Sequence, residues 1–574
     1  MSFAIAQMRP VLANPGKNKA TMLAWIEKAR NQGAQTIIFP EAALCGPVHD
    51  ELAYCDNLLA DCAEAAEEIA AAATGISVIF GNIGAQDGSV LSQVFLAEQG
   101  RLRQIPALGA PPFISGAAGP QINSGGGALV ELNILGRPQK TLVLLGDWQG
   151  RMLPPQAAQA ELLLWLATKP LYLAAEPALP DGRSLPCICV NSAGLCASGK
   201  TNYLLAGRSA YTGCRGELLA AAPYFAEGLY LWQERGGVID PGLTPRQLLP
   251  QALIEGARLF FAQIGLSRAV IGVSGGIDSA LAACLYRQAL GPENVYLISM
   301  PGRFNSEVTK SLAAGLATGL GLPFLALPVD KAAMQISRDI ERALFRDPAG
   351  HHIPLTLSGL DRENILARER SRILAAAAAA LDGGFTCNSN KAEMTVGYAT
   401  FYGDLAGVFA AQADLWKYQV YAACDWFQEQ FPEAPLAKTA AIRPSAELSA
   451  AQDVTRGLGD PLIYVYHDHL LRSWVEEGQN PEDTLAAYAQ HCLEQQLGCE
   501  SGLVATLFAD AAAFVADVER WWRMYRGIGV AKRQQAPPLL ALSRQPFGEA
   551  KPQVQGAVYF SERFRRLKSR LVKG

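Results

Sequence analysis

The sequence predicts an α/β protein of two units, the second built on a doubly wound parallel sheet, and three observations carry that expectation. The 574 residues exceed what one compact core holds at roughly 100 to 200 residues per domain. Short apolar runs alternate with longer helical stretches through both halves. Between them a passage rich in Gly and Pro, RGGVIDPGLTP at 235–245, breaks the periodicity. Hydrophobic residues make up 50% and charged residues 18%, a balance that folds and does not stay disordered. Lys plus Arg number 49 against 53 Asp plus Glu, a net charge of −4, so no global positive field favours nucleic acid as a partner. The opening MSFAIAQMRPVLANPG has no basic stretch leading into a long apolar one, and no apolar run is long enough to cross a bilayer. No membrane partner and a cytoplasmic address are therefore expected. Twelve cysteines without paired metal-ligand spacings read as reduced, mostly buried thiols.

In the first unit, residues 1–234, the strand candidates are FAIAQM, TIIFP, SVIFGNI, TLVLLGD and CICVN, with helices expected over 18–32 and 63–73. Residues 235–246 form the linker. The second unit, 247–574, opens with a helix over 247–264. A buried strand at 269–273, a Gly turn and a helix over 278–290 follow; then come a strand at 295–300, a helix over 307–320 and a strand at 324–327. Strand, helix, strand, helix in this order gives a parallel sheet whose ligands gather at the carboxyl ends of the strands. The tail from Lys532 is rich in Pro and basic residues and reads as a loop or extension.

The strongest chemical signal is VSGGIDS, where a buried strand turns into a helix. Small residues let the backbone approach an anion, and the free N–H groups of the turn and of the helix start point at it. The hydroxyls of Ser274 and Ser279 add donors, and the Asp278 carboxylate suits a magnesium ion bridging to phosphate oxygens. No Lys follows the glycines, so this is neither the GxxxxGK[ST] cradle nor GxGxxG.

SGGIDS after a strand resembles the pyrophosphate loop of the N-type ATP pyrophosphatases, which split ATP into AMP and pyrophosphate while adenylating a substrate. Four further motifs, in order, resemble those of NAD synthetases: MPGRFNSE (300–307), ENILAR (363–368), NSNKAEMTVGYATFYGDLAG (388–407) and PSAEL (444–448). KRQQAPP and SRQPFG near the C terminus are similar to the extended, two-domain members. The resemblance implies that ATP adenylates the nicotinate carboxylate of nicotinic acid adenine dinucleotide (deamido-NAD) and that ammonia then displaces AMP to give NAD. It implies Ser274, Gly275, Gly276, Ile277 and Ser279 around the pyrophosphate, Asp278 and Glu393 as magnesium ligands, and Met300, Asn388, Lys417 and Ser445 on ATP. For deamido-NAD it implies Arg368, Asp404, Lys532 and Arg533, and it implies a homo-oligomer. Asn388 and Ser389 replace the usual Thr-Gly, and Ala531 stands where His is common. Arg362, Arg370 and Arg372 lack the motif support of Arg368 and are expected on a solvated face. His467 and His469 flank one Asp; on a helix they point to different faces, so a structural pair is expected.

Residues 1–234 resemble the nitrilase-like amidase domain, an α/β sandwich that releases ammonia from glutamine by means of a Cys nucleophile, a Glu and a Lys. FPEAALCGP supplies Glu41. Where the Cys belongs the chain reads LVLLGDWQG, with Leu145 at the nucleophile position, and the stretch where the Lys belongs, GRLRQIPALGAPPF, has none. A leucine has no lone pair to attack with. The expectation is an ATP- and magnesium-dependent synthetase using free ammonia, with Glu41 a relic. Two alternatives stay open: glutamine use through a relocated nucleophile, such as Cys45 or Cys189, or a partner amidase; and an inert scaffold.

Overall fold

In the computed structural model of the chain, the described residues are 2–47, 55–86, 89–109, 121–122, 129–148, 152–173, 185–448, 452, 454–456, 459–547 and 556–573. The chain divides into two compact units, Met1–Thr244 with Ala541–Ser543, and Pro245–Leu540 with Arg544–Gly574.

The first unit is built on two seven-stranded sheets, each of six strands in line with a short seventh beside them, Gln121–Ile122 against Ser89–Glu98 in one and Val130–Leu132 against Gln139–Leu145 in the other. One runs, in spatial order, Gly228–Gln233, Ser2–Gln7, Ala34–Ile38, Ser77–Gln86, Ser89–Glu98 and Arg101–Ile105. The other runs Leu218–Ala221, Ala210–Thr212, Cys187–Asn191, Leu162–Ala167, Gln139–Leu145 and Leu108–Gly109. In the first sheet the centre is parallel and the outer pairs are antiparallel; in the second, Cys187–Asn191, Leu162–Ala167, Gln139–Leu145 and Leu108–Gly109 run parallel and the strands at the other edge pair antiparallel.

The period of two along a strand sorts the side chains into layers. Phe3, Ile5, Ile38 and Ile79 of one sheet share an inner core with Val143, Leu145, Leu164, Leu166 and Ile188 of the other. Ala4, Ala6, Ile37, Val78 and Phe80 face outward and are covered by Met22, Ile26, Ala65 and Ile69 of helices Pro15–Asn31 and Asp56–Ala72. The expected helix starts at 18 and 63 are late. Asn14 caps the first helix by accepting from Lys17 N, and a proline at its start pre-sets the backbone; the second begins at Asp56, ahead of its Ala-rich stretch. Leu164 is fully buried in the inner core. Leu164→Ala should destabilise the folded chain by about 2–5 kcal/mol, read by urea unfolding.

The second unit holds a four-stranded parallel sheet in the order Phe324–Ala326, Val295–Ser299, Ala269–Gly272, Gly384–Phe385. The chain winds outward from Ala269–Gly272 through two crossovers and returns to that strand's other side. This reversal opens a crevice at the carboxyl end of Ala269–Gly272, directly above the loop Ser274–Gly276. Helices Ile277–Leu290 and Glu307–Leu320 follow the first and second strands, and helices Asp330–Arg342 and Gly359–Ala380 lie between the third and Gly384–Phe385. No helix among the described residues is long and apolar enough to cross a membrane.

Candidate active site

A cavity of about 260 Å³ opens at this switch point. Ser274, Gly275, Gly276, Ile277, Asp278 and Ser279 line it from the loop and the start of helix Ile277–Leu290. The serine hydroxyls set the loop: Ser274 N donates to Ser279 Oγ (3.2 Å), Ser279 Oγ donates to Gly276 O (2.9 Å), and Gly276 N donates to Ser274 Oγ (3.2 Å). Gly275 has φ +86°, and a Cβ there would overlap the backbone carbonyl of Thr309. Only glycine meets both conditions.

Asp278 is held from two sides. Its Oδ2 pairs with Lys417 Nζ, and its Oδ1 accepts from Asn390 Nδ2 at 3.2 Å. The same amide donates to Glu393 Oε1 at 3.0 Å, and Tyr464 OH donates to that oxygen at 3.1 Å. Asn390 caps the short helix Lys391–Val396, in which Glu393 is the third residue, so a capping box fixes the carboxylate. Burial, then the Asp278 charge, pushes the Glu393 carboxyl up to about 8. Lys417, 2% exposed at the start of helix Lys417–Gln430, loses charge stability to burial, but the facing carboxylates of Asp278 and Glu393 outweigh it and its ammonium is held well above the usual range.

Two carboxylates joined through one amide beside an anion loop suit a magnesium ion that completes its shell with phosphate oxygens and water. Among the described residues no group of three or more His, Cys, Asp or Glu side chains could hold a metal ion.

Met300, Asn388, Asp404 and Ser445 also line the cavity. Asn388 Nδ2 donates to Gly272 O (3.1 Å), Asp404 Oδ1 accepts from Thr400 N (2.8 Å), and Ser445 Oγ donates to Gln452 O (2.7 Å). Three expected residues stand elsewhere. Arg368 is exposed and donates to Phe401 O (3.0 Å). Lys532 donates to Gly397 O (2.9 Å) and Ala399 O (2.5 Å), and Arg533 is buried against the carbonyls of Met394, Thr395 and Tyr525. Those carbonyls end helices Lys391–Val396 and Ala511–Arg526, where a cation satisfies free acceptors.

Of the arginines on helix Gly359–Ala380, Arg370 reaches the cavity, against the expectation of a solvated face. It donates to Asn305 Oδ1 at 3.1 Å, and its buried Nε has no hydrogen-bond partner among the described residues. Two residues further along a helix turn the side chain through about 200° at 3.6 residues per turn, which is why only one of the pair faces inward. Arg362 and Arg372 pair with Glu341 and Glu369. Asp460, Tyr464 and Asn390 were not singled out in the sequence; only Asn390 had a signal, its place in NSNKAE. His467 bonds Asp517 and Ile463 N, whereas His469 bonds Leu497 O, so the two do not converge.

In the first unit Glu41, 8% exposed, accepts from Ser92 Oγ (3.1 Å), Thr168 Oγ1 (3.0 Å) and the Gly146 backbone; burial raises its carboxyl above the usual range. Leu145 turns into the inner core. Gly146, at φ +84° just past the strand end and one residue beyond Leu145, is the residue whose N–H reaches Glu41. Cys45 and Cys189 are fully buried. The neighbouring Cys62 thiol, then burial, raises Cys45 well above its usual value, and burial raises Cys189. The end of the stretch GRLRQIPALGAPPF, from 110 on, lies outside the described residues.

An amidase-type sandwich and a parallel sheet with an anion loop and paired carboxylates define the class of carbon–nitrogen ligases with an attached hydrolase module. Known proteins carry the assignment further. Residues 251–497 match the NAD synthase family and residues 2–107 match the carbon-nitrogen hydrolase family. The chain is 27% identical over 575 residues to a glutamine-dependent NAD(+) synthetase of Xylella fastidiosa, covering 96% of this chain and 97% of that one. A Thermotoga maritima protein of the same description is 33% identical over 260 residues, covering 44% and 42%. The crystal structure of a glutamine-dependent NAD(+) synthetase from Cytophaga hutchinsonii shares the fold, with a TM-score of 0.71 at 16% identity over 99% of each chain. The chain thus pairs a carbon-nitrogen hydrolase region with an NAD synthase region and is similar along nearly its whole length to two-domain NAD synthetases.

Proposed function

We propose that the chain makes NAD from deamido-NAD, ATP and free ammonia, releasing AMP and pyrophosphate, at the cavity of the second unit. The convergence of Ser274–Ser279, Asp278, Glu393 and Lys417 in one crevice carries this reading. A carboxylate is a poor acyl electrophile, because its charge repels a nucleophile and oxide does not leave. Attack of the nicotinate carboxylate on the α-phosphorus of ATP, with loss of pyrophosphate, removes both obstacles. The N–H groups of the loop would bind the departing pyrophosphate, and Lys417 would neutralise charge that grows on it. Asp278 and Glu393 would hold magnesium, which supplies charge neutralisation at the phosphates. Ammonia then attacks the acyl carbon and AMP leaves. Lys532 and Arg533 would act on the substrate only through the loop and helix ends they hold.

Nitrogen from ammonia rests on the first unit, where Leu145 and Gly146 provide no nucleophile beside Glu41. Nitrogen from glutamine is favoured by the printed names of the relatives and by their match along nearly the whole chain. It would need a buried thiol such as Cys45 to be uncovered, or a partner amidase.

Purified chain given ATP, magnesium, deamido-NAD and ammonium should form NAD, AMP and pyrophosphate in equal amounts; pyrophosphate release indifferent to deamido-NAD would contradict the proposal. Glu41→Gln should leave the ammonium-dependent rate within about twofold. The stability lost on Glu41→Gln, read from the melting temperature, should shrink as pH rises: a carboxyl raised in the folded state contributes stability that is full below its unfolded value and is lost as pH rises through its raised one, whereas the amide does not titrate.

A further inference from the structure

Glu447 is a buried carboxylate that the mechanism above leaves unused. It is 4% exposed, lines the cavity, and has φ +45°, a left-handed conformation that a glutamate keeps only where its surroundings hold it. Its backbone N donates to Ser445 Oγ at 3.2 Å. Its side chain reaches across to the opposite wall: Oε2 accepts from Thr309 Oγ1 (2.7 Å) and Asn305 Nδ2 (2.9 Å), and Oε1 accepts from Ser306 N (3.2 Å).

Those three partners have structural consequences of their own. Ser306 caps helix Glu307–Leu320, accepting from Thr309 N. Asn305 Oδ1 accepts from Gly302 N (2.8 Å) and from Arg370 (3.1 Å), so the same link fixes the inward-facing arginine. The Thr309 carbonyl is the atom against which Gly275 of the anion loop rests, with no room for a Cβ between them. One carboxylate thus ties the 444–448 segment to the helix start that backs the anion loop.

We propose that Glu447 is a positioning residue for ATP, acting through Thr309 on the Ser274–Gly276 loop and through Asn305 on Arg370. This rests on the reading of the cavity as an ATP site. Without the carboxylate, Thr309 and Asn305 lose their common acceptor, the two walls move independently, and the loop must be ordered by the nucleotide itself. The loss falls on ATP binding before it falls on the chemical step.

The test is calorimetric titration of the full chain with ATP and magnesium, alongside KM for ATP and kcat with ammonium. Glu447→Gln keeps the shape but turns one acceptor oxygen into a donor. It should weaken ATP about tenfold, with kcat reduced much less and the melting temperature within a few degrees of wild type. Thr309→Val, which removes a hydroxyl and keeps the volume, should shift ATP affinity in the same direction, and the Glu447→Gln/Thr309→Val double variant should be no weaker than Glu447→Gln alone. Unchanged ATP affinity in folded Glu447→Gln, or fully additive losses in the double variant, would overturn the proposal. The binding arm needs no turnover: wild-type chain that binds ATP without amidating deamido-NAD would defeat the proposed function and still judge Glu447.

Discussion

Asp278→Asn should lower deamido-NAD-dependent pyrophosphate release by about a thousandfold or more, a loss of roughly 4 kcal/mol of transition-state stabilisation. Asp278 carries two duties in one place. Its carboxylate is paired with the buried Lys417 ammonium, and it faces Glu393 across the Asn390 amide. The amide of the variant can still accept a hydrogen bond from Lys417, but it brings no charge to a magnesium ion and takes from the ammonium its paired carboxylate, leaving Glu393 to face it. A buried cation stripped of its partner is costly, of order 3–5 kcal/mol. The melting temperature must therefore be read alongside the rate. Loss of turnover in a chain that still melts cooperatively, with ATP retained at high concentration, marks the catalytic contribution. A folded variant within tenfold of wild type would remove Asp278 from the metal assignment.

Gly275→Ala should abolish measurable ATP binding, an effect on the order of a hundredfold or greater. A methyl at this position meets the Thr309 carbonyl, a backbone atom that cannot swing aside, in a residue whose φ of +86° already disfavours any side chain. Either the loop shifts off the helix start or the helix start shifts off the loop, and in both cases the N–H groups lose their common focus. Gly276→Ala is the internal control. A Cβ there meets only the movable Ser274 hydroxyl, at 3.2 Å, and its backbone φ is negative, so the loss should be much smaller. Calorimetry on the two variants separates loop geometry from a general intolerance of alanine; equal losses would mean that Gly275 is not special.

The sequence made the second unit legible because its information is local. A buried strand, small residues and a helix start within eleven residues specify both the turn and the anion site, and NSNKAE encodes the capping box that orients Glu393, to which Tyr464 adds a hydrogen bond from afar. What escaped was set by tertiary contact. Arg370 and Arg368 are two residues apart on one helix, and motif matching chose the one that faces outward. Glu447 and Asp460, which line the cavity from loops, and Tyr464, which starts helix Tyr464–Val475 and bonds Glu393, come from distant segments, and their polar character signals nothing until the fold brings them to the crevice. Arg533 carries the charge expected of a substrate contact, yet its guanidinium is buried on helix-end carbonyls, and burial draws it down to about 10. In the first unit the layering of Leu145 into the core followed from the period of two, but Gly146 as the neighbour of Glu41 required the turn itself.

The central claim is that the second unit forms NAD while the first supplies no nitrogen to it. Its most direct test is to give the full chain ATP, magnesium, deamido-NAD and equal concentrations of unlabelled ammonium and amide-¹⁵N glutamine, and to weigh the NAD formed. Unlabelled NAD is the predicted product; NAD carrying ¹⁵N as a major species would contradict the account and return the first unit to catalysis.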